Sequence, residues 1–390
     1  MDNPDISPSL PSSTTELPQL FWEGSQFAHH SFSHVNRELC LALLRQGGLD
    51  LTLVPYERDQ FDPSSIARFA PLVNALSSRK IPSMPPLMGK RLWLRHHFPL
   101  RRIRPPNASW LVYHPWEYSV SPVAMVEVMK ETREVWTTSQ FCVDAFVRSG
   151  VDADKIQIIP NGVNLDIFTP EGPAAELPTT KPFKFIFVGG TIYRKGVDLL
   201  LEAYGRAFTS EDPVSLVIKD LGVNEFYRGQ TSGNIIQEFA AKPGNPEVVY
   251  LTDYRTNQEM AALFRACDVF VSSYRGEGFC LPALEAMASG LPAIVTKGGS
   301  TDDFVSENSG WFIPAGLKSV GYSIFKMPTR TEAHFLEPNI DALVEILREA
   351  YRNETARRAK AAAAAAEAKN WSWDHAAKRV LARCQTLAAS

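Results

Sequence analysis

The sequence predicts an α/β protein built as two doubly wound units, each a parallel sheet wrapped by helices. Three observations lead there. The chain has 390 residues, which at about 150 residues per domain fits two domains. Short apolar runs alternate with longer segments of helical spacing, and this happens twice along the chain. Between the two series lies Thr169–Pro182, TPEGPAAELPTTKP, whose four prolines and few apolar residues mark a linker.

The elements follow in order. Met1–Pro18 is rich in Pro, Ser and Thr and lacks a basic segment followed by an apolar one, so residues 1–18 read as a disordered tail, not a secretory signal. Gln19–Trp22 is the first strand. A helix from about Ser33 to Gln46 carries Val35, Leu39, Leu43 and Leu44 near helical spacing, and Gly47-Gly48 stops it. Leu49–Val54 alternates as a strand, and a helix is expected around Ser64–Ser77. Strands at Arg91–Arg95 and Ser109–Tyr113 follow, the latter ending at His114-Pro115-Trp116-Glu117. A helix at about Pro122–Lys130, a strand at Glu134–Thr137, a helix at about Phe141–Ser149 and a strand at Ile156–Ile159 complete a first unit over 19–172.

The second unit, 181–373, opens with Phe183–Val188, an almost continuous apolar run of the buried parallel-strand kind. After Gly189-Gly190 and a polar loop comes a helix from about Gly196 to Phe208. Strands are expected at Val214–Ile218, Val248–Leu251, Val269–Ser272 and Ala293–Val295, with helices at about Asn257–Ala266 and Pro282–Ser289. Leu317–Glu337 is irregular and reads as a loop or insertion. Ala356–Lys369 is an alanine-rich helix, and a final helix, about Asp374–Leu387, follows Trp371-Ser372-Trp373.

Composition removes several function classes. Hydrophobic residues at 45% and charged residues at 21% exclude wholesale disorder. The formal net charge is −3, and a protein bound to nucleic acid would carry a basic excess. No apolar run approaches the ~18–20 residues that span a bilayer, so no transmembrane segment is expected. Cys40, Cys142, Cys267, Cys280 and Cys384 are scattered, with no CxxC pair. That argues against a disulfide framework or a zinc site and fits a reducing cytoplasm. There is no GxGxxG or Walker lysine pattern, which counts against nicotinamide enzymes and P-loop ATPases. No DxD follows a strand, and no cofactor is expected.

In open parallel sheets, ligands bind beyond the carboxyl ends of the strands, so the informative residues follow strands. Glu277-Gly278-Phe279-Cys280-Leu281-Pro282-Ala283-Leu284-Glu285 runs from a strand end through a glycine loop into a helix. Pro282 suits a first helical turn, and the helix start offers free N–H groups and partial positive charge to an anion or to sugar hydroxyls. Glu277 and Glu285 can face one cleft and contact different parts of one ligand; carboxylates accept paired hydroxyl donors well. The plainer reading makes Glu285 a dipole partner and Glu277 a solvated loop acid. In Phe187–Gly196, Gly189 and Gly190 admit a ligand to the backbone, and Arg194 and Lys195 place positive charge where a diphosphate would lie. A solvated basic turn is the plainer alternative. Ile158–Asn164 ends the last strand of the first unit in a tight turn whose role is structural, at the edge of the cleft between units.

Together these segments resemble glycosyltransferase family 4, the retaining nucleotide-sugar transferases of the GT-B fold. The Glu-x7-Glu segment, the strand–GG–RKG–helix segment and the IPNGVN turn stand in the family's order and spacing, and Ala286–Val295 with Gly298-Gly299-Ser300 add to it. The resemblance covers roughly Glu134–Ile313 well and the rest more weakly. It implies that Glu285 binds the nucleotide ribose, that Glu277 contacts the donor sugar, and that Lys195 binds the diphosphate. It also implies that the backbone at Phe279, Cys280 and Leu281 donates N–H groups to the donor. Many members carry an arginine directly after the first glycine of the GG turn. Here that position is Gly190, and Arg194 or Lys219 would supply the second cation. The loop after the first strand, Glu23–Ser31, holds one glycine where members often have two. Gly24, Ser25, His29 and His30 are expected on the acceptor side. His114 resembles the family histidine near the donor sugar, a packed and hydrogen-bonded histidine being the plainer reading. The final segment, 374–390, is expected to cross back onto the first unit.

The resemblance implies a metal-independent hexosyl transfer from a nucleoside diphosphate sugar, the co-substrate, to the hydroxyl of a glycan, a lipid-linked acceptor or another molecule. A glycan, polysaccharide or glycoconjugate is the expected product. A GT-B-shaped binding or scaffold protein without catalysis is one alternative, and an epimerising or phosphorolytic enzyme on the same fold is another. A basic stretch over 90–104 interleaves Lys90, Arg91, Arg95, Arg101, Arg102 and Arg104 with Leu92, Trp93, Leu94 and Phe98. It could make a peripheral contact with the inner face of a membrane; the plainer reading is a solvated loop with its apolar residues packed inward.

Overall fold

The computed structural model describes residues 17–80, 91–222 and 227–389. The expected tail up to residue 16 and Lys90 lie outside the described residues. The chain forms two six-stranded sheets and a two-stranded ribbon. In the first sheet the strands are β1 (Gln19–Glu23), β2 (Asp50–Val54), β3 (Arg91–Arg95), β4 (Ser109–Tyr113), β5 (Glu134–Thr137) and β6 (Ile156–Ile158). The second holds β7 (Phe183–Gly189), β8 (Val214–Asp220), β9 (Glu247–Leu251), β10 (Val269–Ser272), β11 (Ala293–Thr296) and β12 (Gly310–Ile313). All pairs within both sheets are parallel.

The strand orders are 2-1-3-4-5-6 and 12-11-10-7-8-9. Each sheet therefore reverses direction once, between β1 and β3 in the first and between β7 and β10 in the second. A crevice opens at such a reversal because the connecting helices leave on opposite faces. Every residue of β8 is buried, the pattern of a strand covered by helices on both sides.

Two expectations need correction. The helix around Ser64–Ser77 is instead two 3-10 turns, Pro63–Ser65 and Ala67–Phe69, followed by a short helix, Ala70–Ala75. Helical periodicity is interrupted because Ile66 and Leu76 are extended, and Leu76 bridges to Leu53 at the sheet edge. Leu317–Glu337 is not a loop. It belongs to an antiparallel hairpin of β13 (Ala315–Ile324) and β14 (Met327–Pro338). Its turn residues, Phe325 and Lys326, both have left-handed backbone, with φ of 52° and 64°. That is the twist a two-residue hairpin needs, but without the Asn-Gly signature that advertises it. β13 is mostly exposed and interrupted by register shifts, so no burial pattern marks it. The helices Gly233–Ala241 and Ile340–Arg352 and strand β12 also lie outside the sequence expectations.

The hairpin ties the two units together. Its Phe335 ring stacks on Tyr118 at 4.6 Å, His334 N donates to Ser119 Oγ at 2.8 Å, and Arg330 pairs with Glu127 at 3.1 Å. At its other end Glu337 accepts from Arg275, a buried guanidinium that also forks onto Asp198. The chain terminus makes the second connection. Helix Glu354–Ala368 stays with the second unit, burying Ala364 and Ala368 in its core. The chain then crosses at Trp371, whose carbonyl accepts from Val163 N at 2.8 Å. Helix Trp373–Ala389 buries Trp373, Ala376, Ala377, Val380, Cys384 and Leu387 in the core of the first sheet.

Candidate active site

A cleft of about 420 Å³ lies between the sheets, lined from the first by His29, His30, Phe32, Arg37 and Glu117 and from the second by residues that follow β7, β8, β9 and β10. It sits at the carboxyl ends of the strands, where the second sheet reverses.

The loop after β7 supplies the cations. Tyr193–Lys195 forms a 3-10 turn, and Gly196 caps the next helix in the left-handed region with φ of 71°. A Cβ there would stand 1.9 Å from the Ser273 carbonyl oxygen, so glycine is required by both torsion and space. Arg194 O accepts from Arg275 N at 2.7 Å and from Gly276 N at 3.2 Å. The loops after β7 and β10 are thus fixed against each other. Lys195 Nζ bonds Glu277, and the Arg194 guanidinium lies 3.5 Å from Glu277 and 3.1 Å from Glu117. Burial works against the charge of Arg194, but Glu117 and Glu277 overcome it and hold the guanidinium above its ordinary value. Lys219, at the end of β8, donates to the carbonyls of Asp253 (2.5 Å) and Asp220 (3.2 Å). Burial lowers its pKa, opposed by Asp253.

The loop after β10 supplies carboxylates and backbone donors. Cys280 caps helix Leu281–Ala288 in the left-handed region with φ of 72°, and Pro282 lies in the first turn. Phe279, Cys280, Leu281 and Pro282, where that helix starts, line the cleft, and a helix start leaves N–H groups without intrahelical partners. The side chains of these residues do other work. Phe279 packs on Phe304 and Trp371, Leu281 joins the cores of both sheets, and burial pushes the Cys280 thiol up to about 12. Glu285 lies farther along the helix. Burial, with the nearby Glu38 carboxylate, raises its pKa to about 7.

The structure therefore brings Gly189, Gly190, Arg194, Lys195, Lys219, Glu277, Phe279, Cys280, Leu281, Glu285, His29 and His30 to one cleft. Gly190 faces the Tyr227 ring: a Cβ would stand 2.4 Å from it. The tyrosine fills the space where the resemblance expects an arginine, and its hydroxyl stands 3.5 Å from Arg194. Three expected residues are not in the cleft wall. Gly24 is pressed against Asn36 and the His96 carbonyl, where a Cβ would come within 2.5 Å and 2.8 Å. Ser25 is buried, and its carbonyl accepts from Asn36 at 2.8 Å. His114 is buried among Phe32, Phe98 and Trp116, and burial lowers its pKa to about 3, so the ring is neutral. Within the cleft, His30 caps helix Ser31–Gln46 and bonds Glu57 at 2.6 Å, while His29 packs against Phe61 and against Tyr254 of the facing unit.

Glu117, Tyr227, Arg37 and Tyr254 line the cleft without having been singled out. For Glu117 a signal existed: it follows β4 by a few residues, a strand end of the kind searched in the second unit. Arg37 lies inside a helix and reaches the cleft only through its fold. The basic stretch divides. Arg91, Leu92, Leu94 and Arg95 are buried, Arg95 on Glu23 at 2.8 Å, whereas Ile103 is 66% exposed and Phe98 37%. Arg102 and Arg104 face Glu131. Among the described residues no group of three or more His, Cys, Asp or Glu side chains is placed to hold a metal ion, and no helix is long and apolar enough to cross a membrane.

Residues 169–320 match the sequence model of the family "Glycosyl transferases group 1". That region carries β7 to β12 and every expected donor-side residue except His114. Over 155 residues the chain is 30% identical to mannosylfructose-phosphate synthase of Agrobacterium fabrum, covering 38% of this chain and 34% of that protein. The matched stretch spans 33% to 41% of the own length of such curated relatives, so the chain covers well under half of each. The structural likeness extends further. Sucrose-phosphate synthase of Thermosynechococcus elongatus superposes with a TM-score of 0.67 at 18% identity, covering 95% of this chain and 100% of that one. Anabaena Alr3699/HepE, solved with UDP and glucose, gives 0.62 at 13% identity over 95% of this chain and 100% of that one. The fold is the GT-B arrangement of two facing α/β units.

Proposed function

We propose that the protein transfers a hexose from a nucleoside diphosphate sugar to an acceptor hydroxyl with retention of the anomeric configuration, as a member of glycosyltransferase family 4. The observation that carries this is the pairing, in one cleft, of Arg194, Lys195 and the start of helix Leu281–Ala288 with the carboxylates of Glu277 and Glu285. The cations suit a diphosphate and the carboxylates suit hydroxyls. The relatives support a phosphate-sugar context by name, and a glycan or glycoconjugate product fits it.

On this reading, the bond from the anomeric carbon to the diphosphate oxygen breaks and the electron pair leaves with the nucleotide. Lys195, Arg194 and the helix N–H groups meet the negative charge that develops there, so the charge is handled by fixed side chains and dipoles. Lys195 exchanges Glu277 for phosphate, and Glu277 turns to the sugar hydroxyls. This reading uses no side chain as a nucleophile. The acceptor hydroxyl attacks from the same face and its proton passes to the departing phosphate oxygen. The acceptor enters on the side of His29, His30 and Arg37. The reaction takes place in the cytoplasm, which suits five free thiols, and Phe98, Ile103 and Arg101–Arg104 form the surface for a peripheral membrane contact.

The test is a thermal-shift screen of nucleoside diphosphates and their sugars, followed by product mass and the anomeric coupling constant. Stabilisation by none of them, or an inverted product, defeats the reading. The Glu285 carboxylate gives a second check. With its pKa near 7, the free protein holds it protonated below pH 7 and ionised above. Ribose hydroxyls bind the ionised form, so nucleotide affinity rises with pH by up to about tenfold per unit below pH 7 and levels above it. Glu285→Gln flattens that profile; titration calorimetry of uridine and guanosine diphosphate at pH 6 and pH 8, wild type against variant, measures it. In the free protein the linkage has its own sign. A carboxylate raised from 4.5 to about 7 makes the fold lose stability as pH rises between those values, and Glu285→Gln removes that loss.

A further inference from the structure

The donor-side cations have a counter-ion in the opposite unit. Glu117 follows β4 of the first sheet, yet its carboxylate lies 3.1 Å from Arg194 of the second. The surrounding contacts leave it little choice of place. A Cβ at Gly276 would stand 2.2 Å from the Glu117 carbonyl oxygen, and one at Gly278 would stand 2.8 Å from Pro115 Cβ. The Gly278 carbonyl accepts from Thr138 Oγ1 at 2.6 Å and Ser139 Oγ at 2.9 Å. The strand-end loops of the two sheets interlock, and two glycines make the approach sterically possible.

Within this contact the charges cancel. Arg194 and Lys195 are matched by Glu117 and Glu277. A diphosphate entering the cleft displaces Glu277 from Lys195, since both anions compete for the same ammonium. Glu117 is different: it belongs to the facing unit and approaches Arg194 through the other guanidinium nitrogen, Nη2, while Nη1 faces Glu277 and donates to Gly276 O at 3.0 Å. It can therefore remain on Arg194 when Glu277 departs.

Resting on the transferase reading above, we infer that Glu117 is a positioning residue: it holds the second guanidinium nitrogen of Arg194 from the facing domain, so that the setting of the phosphate-binding cation, begun within its own unit, is completed when the two domains are closed. Domain closure and leaving-group stabilisation are then one event. The same carboxylate also weakens ground-state attraction of the diphosphate, because its negative charge stands beside the anion's site.

These two roles give opposite signs when Glu117 is neutralised. Glu117→Gln keeps the shape, removes the repulsion and frees the guanidinium. Expected for this variant is uridine or guanosine diphosphate binding at least about fivefold tighter by calorimetry, an unchanged or lower KM for the donor, and kcat lower by about tenfold or more. Glu117→Asp, which keeps the charge, restores part of kcat. A merely structural ion pair would instead lower thermal stability and weaken nucleotide binding and turnover together, and that result overturns the inference. So does an unchanged kcat in Glu117→Gln when the wild type binds nucleotide and transfers sugar. If the wild type binds neither diphosphate and transfers nothing, the transferase reading itself has failed.

Discussion

Lys195→Ala lowers kcat/KM for the donor by about 10²–10³, the cost of removing one preorganised charge partner from a leaving group, and leaves the fold intact. The fold survives because Glu277, the partner of Lys195, retains Arg194 at 3.5 Å, so no buried carboxylate is orphaned. Glu277→Ala separates the roles. It leaves both cations in place, so nucleoside diphosphate binds as tightly as in the wild type or more so. Transfer nonetheless falls by a similar factor, because the sugar loses its hydroxyl acceptor. Steady-state kinetics with the donor found in the thermal-shift screen, beside calorimetry of the free diphosphate, separates the two. Wild-type turnover in both variants would remove Lys195 and Glu277 from the site.

The second large effect falls on stability. Gly162, in the IPNGVN turn, lies where the chain terminus returns to the first sheet. A Cβ there would stand 2.2 Å from Trp373 N, 2.4 Å from Ser372 C and 2.6 Å from Trp373 Cα. All three are backbone atoms, which cannot swing aside as a side-chain end would. Gly162→Ala must therefore push the crossing strand away. That breaks the Val163 N to Trp371 O bond and loosens the helix that buries Trp373, Val380 and Leu387 in the first core. The expected cost is about 3 kcal/mol, seen as a lower melting temperature and as new proteolytic cleavage between residues 369 and 374. An unchanged melting temperature would show that the return is not held at this point. Because the cleft lies between the two units, nucleotide binding should weaken with it.

The sheets were legible in the sequence where burial was two-sided. β7, β8, β10 and β11 are mostly apolar and almost wholly buried, and helices punctuated by Gly47 or Pro282 announce their ends. The hairpin β13–β14 was illegible for the complementary reason. Its first strand is largely exposed, its apolar residues packed inward, among them Val320, Ile324, Ala333 and Phe335, are few and spread among polar ones, and it turns on Phe325 and Lys326, residues that do not advertise left-handed backbone. The segment 64–77 misled because its apolar residues keep a helix-like spacing, while the sheet edge claims Leu76 for a bridge to Leu53.

The candidate site divides along the same line. A loop that leaves a strand and enters a helix is contiguous in sequence, so Gly189, Gly190, Arg194 and Lys195, and Glu277 through Glu285, could be read together. The residues that complete the cleft come from the facing unit, and their placement depends on how two sheets meet. Packing turns Gly24 and Ser25 of the first loop into the wall behind the cleft, and buries His114 with neither ring nitrogen hydrogen-bonded.

The sequence by itself determined two series of parallel strands and a set of cations, carboxylates and a helix start that the structure brings to one cleft. These are local properties, written in apolar periodicity, glycine and proline position, and charge along a continuous segment. Only the tertiary structure decided that Tyr227 occupies the space beside Gly190, that the hairpin and the last helix bind the units together, and that Glu117 meets Arg194 across the cleft. Those contacts join residues far apart in the chain. They follow from backbone approach at Gly162, Gly276 and Gly278, which the sequence records only as the absence of a side chain.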